Sequence, residues 1–174
     1  MVQPALVISI SALIFTLFSF WWMNWRPGKL VVTEPRSYAA IAAAGKLMVE
    51  LPLVFFNRGA TPVIVHNLRL KIQDVERPLS FNAVVQKLGD HDDRRFATQF
   101  AVRAQEAVTL VCEFQAPIAG FAFEQREYAI SLEGAHGKSR EWRSLLRFSL
   151  SVTERDLESI NKAFIVHDNW PEPS

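Results

Sequence analysis

The chain predicts a mainly β protein. An antiparallel β-sandwich of seven or eight strands is preceded by one N-terminal transmembrane helix and followed by a short C-terminal helix. Three observations carry this. Ala5 to Met23 contains no charged residue, and at a 1.5 Å rise about 20 residues cross roughly 30 Å of hydrocarbon. From Lys46 onward apolar residues recur at every second position, in segments divided by turn residues. No long helical pattern is interleaved with them, which argues against a parallel sheet and for two packed antiparallel ones. At Thr153 the apolar spacing changes to three and four, the period of a helix.

The first element is the run PALVISISALIFTLFSFWWMNWR, Pro4 to Arg26. Its Ser and Thr residues can bond back to their own helix. A cleaved signal peptide is one alternative, but Met1-Val2-Gln3-Pro4 lacks the basic start that such a peptide wants, and the first Ala-rich site lies far beyond the apolar run. A buried core helix is the other; it would need protein on every side. Trp21, Trp22 and Trp25 cluster at one end, where indole rings suit the headgroup layer. Their rival use is packing on the domain that follows. Arg26, Lys29 and Arg36 follow the helix and only the terminal amine precedes it. Retention of positive charge on the cytoplasmic side therefore places the folded domain inside, at the inner membrane. The bilayer is the expected partner of Ala5 to Trp25, and the membrane-interface residues are Trp21, Trp22, Trp25, Arg26 and Lys29.

Arg26-Pro27-Gly28-Lys29 reads as a helix break and a short, loosened linker. Leu30 to Thr33 reads as a first strand. Ala39 to Ala44 is open between one helical turn and a loose edge segment. In Lys46 to Phe56 the residues Leu47, Val49, Leu51, Leu53 and Phe55 share one parity and form a core face. Pro52 lacks a donor and points to an edge strand or a bulge. Asn57 to Pro62 is turn chemistry throughout.

In Val63 to Ile72, residues Ile64, Leu68, Leu70 and Ile72 are expected inside, with His66 on the same parity. A weaker strand begins at Leu79. A charged loop covers Lys87 to Arg95, and one strand is marked by Phe96, Phe100 and Val102. Val108, Leu110, Cys112 and Phe114 give a strand near the centre of a sheet. Tyr128, Ile130 and Leu132 give the next, and Glu133 to Lys138 reads as a hairpin loop. Trp142, Leu146, Phe148, Leu150 and Val152 share the last inward parity. Thr153 and Asp156 fit a capping box, and Leu157, Ile160 and Phe164 form one stripe. That stripe is expected against the sandwich, with a membrane-surface or partner-binding helix as the alternative. His167 to Ser174 is expected to be loose. The divisions are thus 1-25 for the transmembrane helix, 26-45 for the linker and first strand, 46-152 for the sandwich, and 153-174 for the short helix and tail.

Asn57-x-Gly59-x-x-Pro62 followed by Leu68-x-Leu70 resembles the B–C corner of immunoglobulin-like sandwiches, and Tyr128, two residues before Ile130, is similar to a tyrosine corner. No cysteine pair matches an antibody-type domain. The layout of one helix, an Arg-Pro break and a sandwich resembles small bacterial single-pass membrane proteins of no assigned function. This likeness implies a fold and no activity.

Composition bounds the chemistry. The 174 residues leave about 150 beyond the helix, one ordinary domain. Lys and Arg number 19 against 18 Asp and Glu, so charge makes no case for nucleic acid as a partner. Cys112 is the only cysteine, which excludes an intrachain disulfide; inward in mid-strand, it reads as an inert thiol. Asp90-His91-Asp92-Asp93 could hold a divalent cation, but consecutive Asp residues in a loop read first as solvated charge. His66 reads as a hydrogen-bonded core residue. No histidine pair has a metal-ligand spacing, and there is no Gly-x-Ser-x-Gly elbow or phosphate-cradling glycine loop. No pairing of two carboxylates in an apolar setting is expected. Arg94, Arg95, Arg103 and Arg126 are diluted by nearby acids; an anionic-lipid patch is open near Arg26, Lys29 and Arg36, but orientation alone explains those charges. No enzyme, cofactor or metal is expected. The reading is a membrane-tethered interaction or scaffold module with a protein partner. Its alternatives are a sensor or ligand-binding domain, and an envelope or secretion component with the domain outside the cytoplasm.

Overall fold

Leu47, Val49, Leu51, Leu53 and Phe55 are all fully buried, so one parity of one strand supplies the centre of the core. The computed structural model describes residues 3–89, 93–138 and 140–170. Asp90, His91 and Asp92 of the polar cluster and 171–174 of the tail lie outside them. The elements are α1 (Pro4–Asn24), β1 (Leu30–Val32), β2 (Ser37–Ala43), β3 (Lys46–Asn57), β4 (Val63–Ile72), β5 (Leu79–Val85), β6 (Arg95–Phe96), β7 (Phe100–Val102), β8 (Ala107–Pro117), β9 (Arg126–His136), β10 (Trp142–Val152), α2 (Glu154–Ile160) and β11 (Ile165–Asp168).

All strand pairs are antiparallel. They form one curled sheet, a half-barrel, in the order β10-β9-β4-β5-β8-β3-β2-β11, with β1 on β3, β6 on β5 and β7 on β4. The β4–β5 junction is narrow: only Arg69 with Ser80 and Leu70 with Leu79. On either side of it the inward faces fill one core, in which Leu68, Leu70, Leu132 and Leu150 meet Leu51, Leu79, Cys112 and Phe114. The two sheet margins approach without a ladder. Tyr38 Oη donates to Ser151 O (2.9 Å), Ser151 N donates to Asn169 Oδ1 (3.1 Å), and Asn169 Nδ2 donates to Ser149 O (3.1 Å).

Several local expectations are corrected. Ala39 to Ala43 is neither a helical turn nor an edge: β2 lies between β3 and β11, and Tyr38, Ala39 and Ala40 are fully buried. β3 is internal, and Pro52 is tolerated by an accident of its neighbours. On one side it pairs with Val111; on the other, β2 stops pairing at Glu50 and β1 begins at Phe55. The missing donor falls in that gap. In β4 the register skips between Val65 and Asn67, and a one-residue skip exchanges faces. Val63 and Val65 are therefore inside, while Ile64 and His66 are not.

The strand expected at Phe96 to Val102 is two short ones on different partners, and Phe96 is exposed. Glu133 to His136 is not loop: β9 and β10 pair out to Ala135 and Trp142. A second skip, between Ser144 and Leu146, leaves Trp142 partly exposed. His167 is not loose either, because β11 pairs with β2 and buries both His167 and Asn169.

Other expectations hold. α2 carries the capping box: Thr153 N and Oγ1 both donate to Asp156 Oδ2 (2.8 and 2.7 Å), and Asp156 N donates to Thr153 Oγ1 (3.4 Å). Ile160 is fully buried, and Leu157 packs on the same core. β8 is central, between β3 and β5.

Phe55 packs edge-to-face on Phe100, centroids 5.1 Å apart. Phe55→Ala deletes that ring from a closed core. The expected cost is about 3–5 kcal/mol, read as a fall in the denaturation midpoint of the detergent-solubilised chain.

Candidate membrane interface

α1 has the length and apolarity to cross a membrane, and none of its residues is buried by the rest of the chain. That removes the core-helix alternative. Three of its polar side chains are bonded within the helix: Ser9 Oγ donates to Ala5 O (2.9 Å), Thr16 Oγ1 to Ala12 O (2.8 Å) and Asn24 Nδ2 to Phe20 O (2.8 Å). Trp21, Trp22 and Trp25 remain 43%, 48% and 63% exposed. Their ring partners are on the helix or just after it. Phe18 lies against Trp21 and Trp22, Phe20 against Trp25, and the Arg26 guanidinium sits 4.7 Å over the Trp22 ring. The rings are therefore free for a headgroup layer, not committed to the sheet.

The segment after the helix is not loose. Asn57, fully buried, organises it. Its Oδ1 accepts from Gly59 N (2.9 Å) and Lys29 N (3.1 Å), and its Nδ2 donates to Thr61 O (2.9 Å) and Val102 O (3.2 Å). Around this carboxamide, Gly28 N donates to Thr61 Oγ1 (2.8 Å), Arg58 N to Lys29 O (2.9 Å), and Ala60 N to Arg26 O (2.9 Å). The Arg26 guanidinium donates to Arg58 O. Two glycines make the approach possible. A Cβ on Gly59 would stand 2.2 Å from Pro27 O, and one on Gly28 would stand 2.6 Å from Thr61 O. Both are obstructed by backbone, which cannot give way. The expected linker is thus a clamp that joins the helix end to the sheet.

Trp21, Trp22 and Trp25 lie at the end of α1, and Arg26 and Lys29 lie in the clamp that follows it. Arg36 is in neither. Its guanidinium lies 5.9 Å from the Trp170 ring, and its carbonyl accepts from Asn169 N (2.7 Å) beyond the end of β11. Asn57 was legible only as a turn former; nothing local in the sequence marks it as the hub of four bonds.

The chemistry-bearing candidates do not converge. Burial pushes the Cys112 thiol well above its ordinary range, which keeps it protonated and inert. His66 is half-buried, not a core residue; Nε2 lies 2.8 Å from Gly137 O and Nδ1 3.3 Å from Gln99 Oε1. No group of three or more His, Cys, Asp or Glu able to hold a metal ion occurs among the described residues.

Two buried acids overturn an expectation. Glu50 and Glu113 stand directly opposite on β3 and β8, both fully buried. They hold the loop after β5 against the sheet. Gly89 N donates to Glu50 Oε2 (2.8 Å), while Asn82 Nδ2 (3.0 Å) and Arg94 Nη2 (2.5 Å) donate to Glu113 Oε1.

His167 and Asp156 form a second polar pair, Nδ1 to Oδ1 at 2.7 Å, with Tyr38 stacked on the imidazole at 5.3 Å. Burial pulls the Asp156 carboxyl upward. The bonds from Thr153 and His167 together outweigh it and hold the group below its ordinary value.

No family model matches the chain, and no curated protein does. The chain is similar to a crystal structure from Bordetella pertussis described as a "Putative ApaA Protein". The identity is 12%, the alignment covers 75% of this chain and 98% of that one, and the TM-score is 0.42. A likeness of that size carries no argument about fold or function.

Three outcomes test the geometry. Asn57→Ala strands buried donors and acceptors on three segments, so a loss of at least about 3 kcal/mol is expected in chemical denaturation; Gly59→Ala is expected to part the clamp and expose the bond after Lys29 to trypsin while the sheet stays folded. For Asp156 the folded-state value is the depressed one, so its stabilisation is complete above the ordinary carboxyl value of 3.8 and is lost as pH falls through the lower folded value. The difference in Tm between the native chain and Asp156→Asn should therefore shrink below pH 3.8.

Proposed function

We propose that the protein is a single-pass inner-membrane protein whose cytoplasmic domain is a non-catalytic interaction or scaffold module. The clamp carries this reading. A sheet joined to a lipid-compatible helix through Asn57, Gly28 and Gly59 is held at the membrane surface in a fixed pose, without the slack of a flexible linker. Confinement raises the effective concentration of a membrane-bound partner, and a fixed pose reduces the ordering cost of each encounter.

The partner-facing element we assign is β11. It is the last strand of the sheet, and it exposes Ile165 and Val166, followed by exposed Trp170. The bond from Asn169 N to Arg36 O sets the phase of its ladder. Alternation then turns the N–H and C=O groups of Val166 and Asp168 away from β2, where an extended segment could add.

We read the curled sheet as an immunoglobulin-like sandwich. Its support is the two-pair β4–β5 junction, which divides the sheet into two faces, and the bond from Glu124 N to Tyr128 Oη (2.7 Å), the contact expected of a tyrosine corner. The sensor alternative gains little. Two clefts of about 650 Å³ each are surface grooves, one between α2 and β11 and the other over β4, β9 and β10.

Proximity labelling from the full-length chain in membranes tests the scaffold role. Neighbours should be enriched over a bare-helix control and lost with Ile165→Asp/Val166→Asp. These exposed substitutions should change stability by no more than about 0.5 kcal/mol. Equal labelling by the bare helix would remove the reading. Protease added to intact spheroplasts should leave the domain uncut, and digestion would move the domain to the other side.

A further inference from the structure

The total charge of +1 conceals a separation along the strands. The pairing registers place four segments at the end of the sheet next to α1. Residues 26–29 and 57–62 are joined in the clamp. The turn after β7 is tied to them by Asn57 Nδ2 to Val102 O and by Gln105 N to Asn57 O (3.0 Å). The β9–β10 turn follows Ala135 and His136, whose partners Asn67 and Val65 lie near the start of β4, and Gly137 N donates to Ile64 O (2.8 Å).

These segments carry Lys29, Arg58, Arg103, Lys138 and Arg140, all exposed and none in an ion pair among the described residues. Arg143 is also there but is 3.6 Å from Glu141, so that pair cancels. Glu106 is the one other acid.

The opposite end differs in kind. It holds the turn after β4, the approach to β9 and α2, where Asp74, Glu76, Glu124, Glu154, Asp156 and Glu158 are interleaved with Arg77, Arg126 and Arg155. There Arg126 is engaged by Asp74 (2.8 Å) and Glu124 (3.8 Å).

We propose that the α1-proximal end of the sheet is an anionic-lipid surface, on which Lys29, Arg58, Arg103, Lys138 and Arg140 rest against the headgroups of the leaflet that α1 enters. The occupant follows from continuity. The clamp sets this end directly beneath Trp25, so the nearest charged layer available to it is the bilayer's own. Five unpaired cations cluster within reach of that layer, and each gains from a negative surface potential that falls away within a Debye length. Retention of positive charge during insertion does not account for them. That rule acts on residues close to the helix in sequence, whereas Arg58, Arg103, Lys138 and Arg140 reach this end only when the sheet folds.

The inference rests on α1 spanning the bilayer, and the test separates the two. The full-length chain is placed in nanodiscs of phosphatidylcholine alone, or of phosphatidylcholine and phosphatidylglycerol in equal parts. Hydrogen exchange is followed at residues 57–62, 102–106 and 136–141. The expected result is several-fold slower exchange at these segments in the anionic discs, reversed by high salt. It should be absent from Arg103→Glu/Lys138→Glu/Arg140→Glu and retained by Arg103→Lys/Arg140→Lys. Exchange in β3 and β8 reports whether each variant is folded. Equal exchange in the two lipids, with the chain incorporated in both, overturns the lipid surface and leaves the anchor intact; this is also the outcome if the cations serve an acidic protein instead. Failure to enter discs of either composition overturns the anchor and this surface with it.

Discussion

One buried carboxamide holds the architecture to its anchor. Asn57 is the last residue of the longest strand, and its side chain uses both its acceptor and its donors on the helix-exit segment, the corner and the turn after β7. An amide suits this position because it presents an acceptor and two donors on one short, stiff group. An aspartate would lose the donors, and a leucine would strand every group around it. In low dielectric such a satisfied hub is worth more than its bonds counted singly, and a half-satisfied one costs more than none. The direction of α1 relative to the sheet, the nearness of Trp25 to the basic end, and the fixed pose of β11 all follow from it.

The rest of the domain solves a closure problem by similar means. A curled antiparallel sheet that does not close leaves two margins, and unpaired margins invite association. Here Tyr38 and Asn169 bond to the backbone of β10 from the opposite margin. Exposed Arg143 and Arg147, together with the register skip after Ser144, make the outer side of β10 a poor template for another strand. On the outer face Glu50 and Glu113 are covered because Gly89, Asn82 and Arg94 supply their hydrogen bonds. Side chains placed far apart in sequence thus do work that ladders do elsewhere.

What was legible in the sequence is what period alone determines. The apolar helix, the five-residue core parity of β3, the centre of β8 and the Thr153–Asp156 box are local patterns with a local cause. What was missed depended on partners. His66 was expected inside because period two was carried through Val65 to Asn67, where the register skips. β11 was expected to be loose because four residues with charged and polar neighbours form a strand only when β2 offers a ladder. Ala39 to Ala43 reads as indifferent by propensity, and burial between two strands decides it. Gly28 looked like slack; the backbone of Thr61 shows why no side chain fits there. Of the candidate membrane interface, Trp21, Trp22, Trp25, Arg26 and Lys29 are a linear cluster legible in the sequence, whereas only the fold shows that Arg36, a few residues on, lies beside Trp170 and Asn169.

That last point bears on how charge should be read in an anchored domain. A composition of 19 bases and 18 acids makes no case by itself for electrostatic recognition. Yet the field at a surface depends on which charges face it within about 10 Å, not on the sum over the molecule. An antiparallel sheet sorts its turns into two ends by construction, since successive turns alternate between them. If unpaired bases are gathered on the turns of one end while acids and bases mix at the other, a neutral chain becomes a molecule with one basic end. A freely tumbling domain would average this polarity away at a membrane. A domain clamped by one of those ends cannot; on the proposed reading, the Asn57 corner turns a neutral composition into a directed charge.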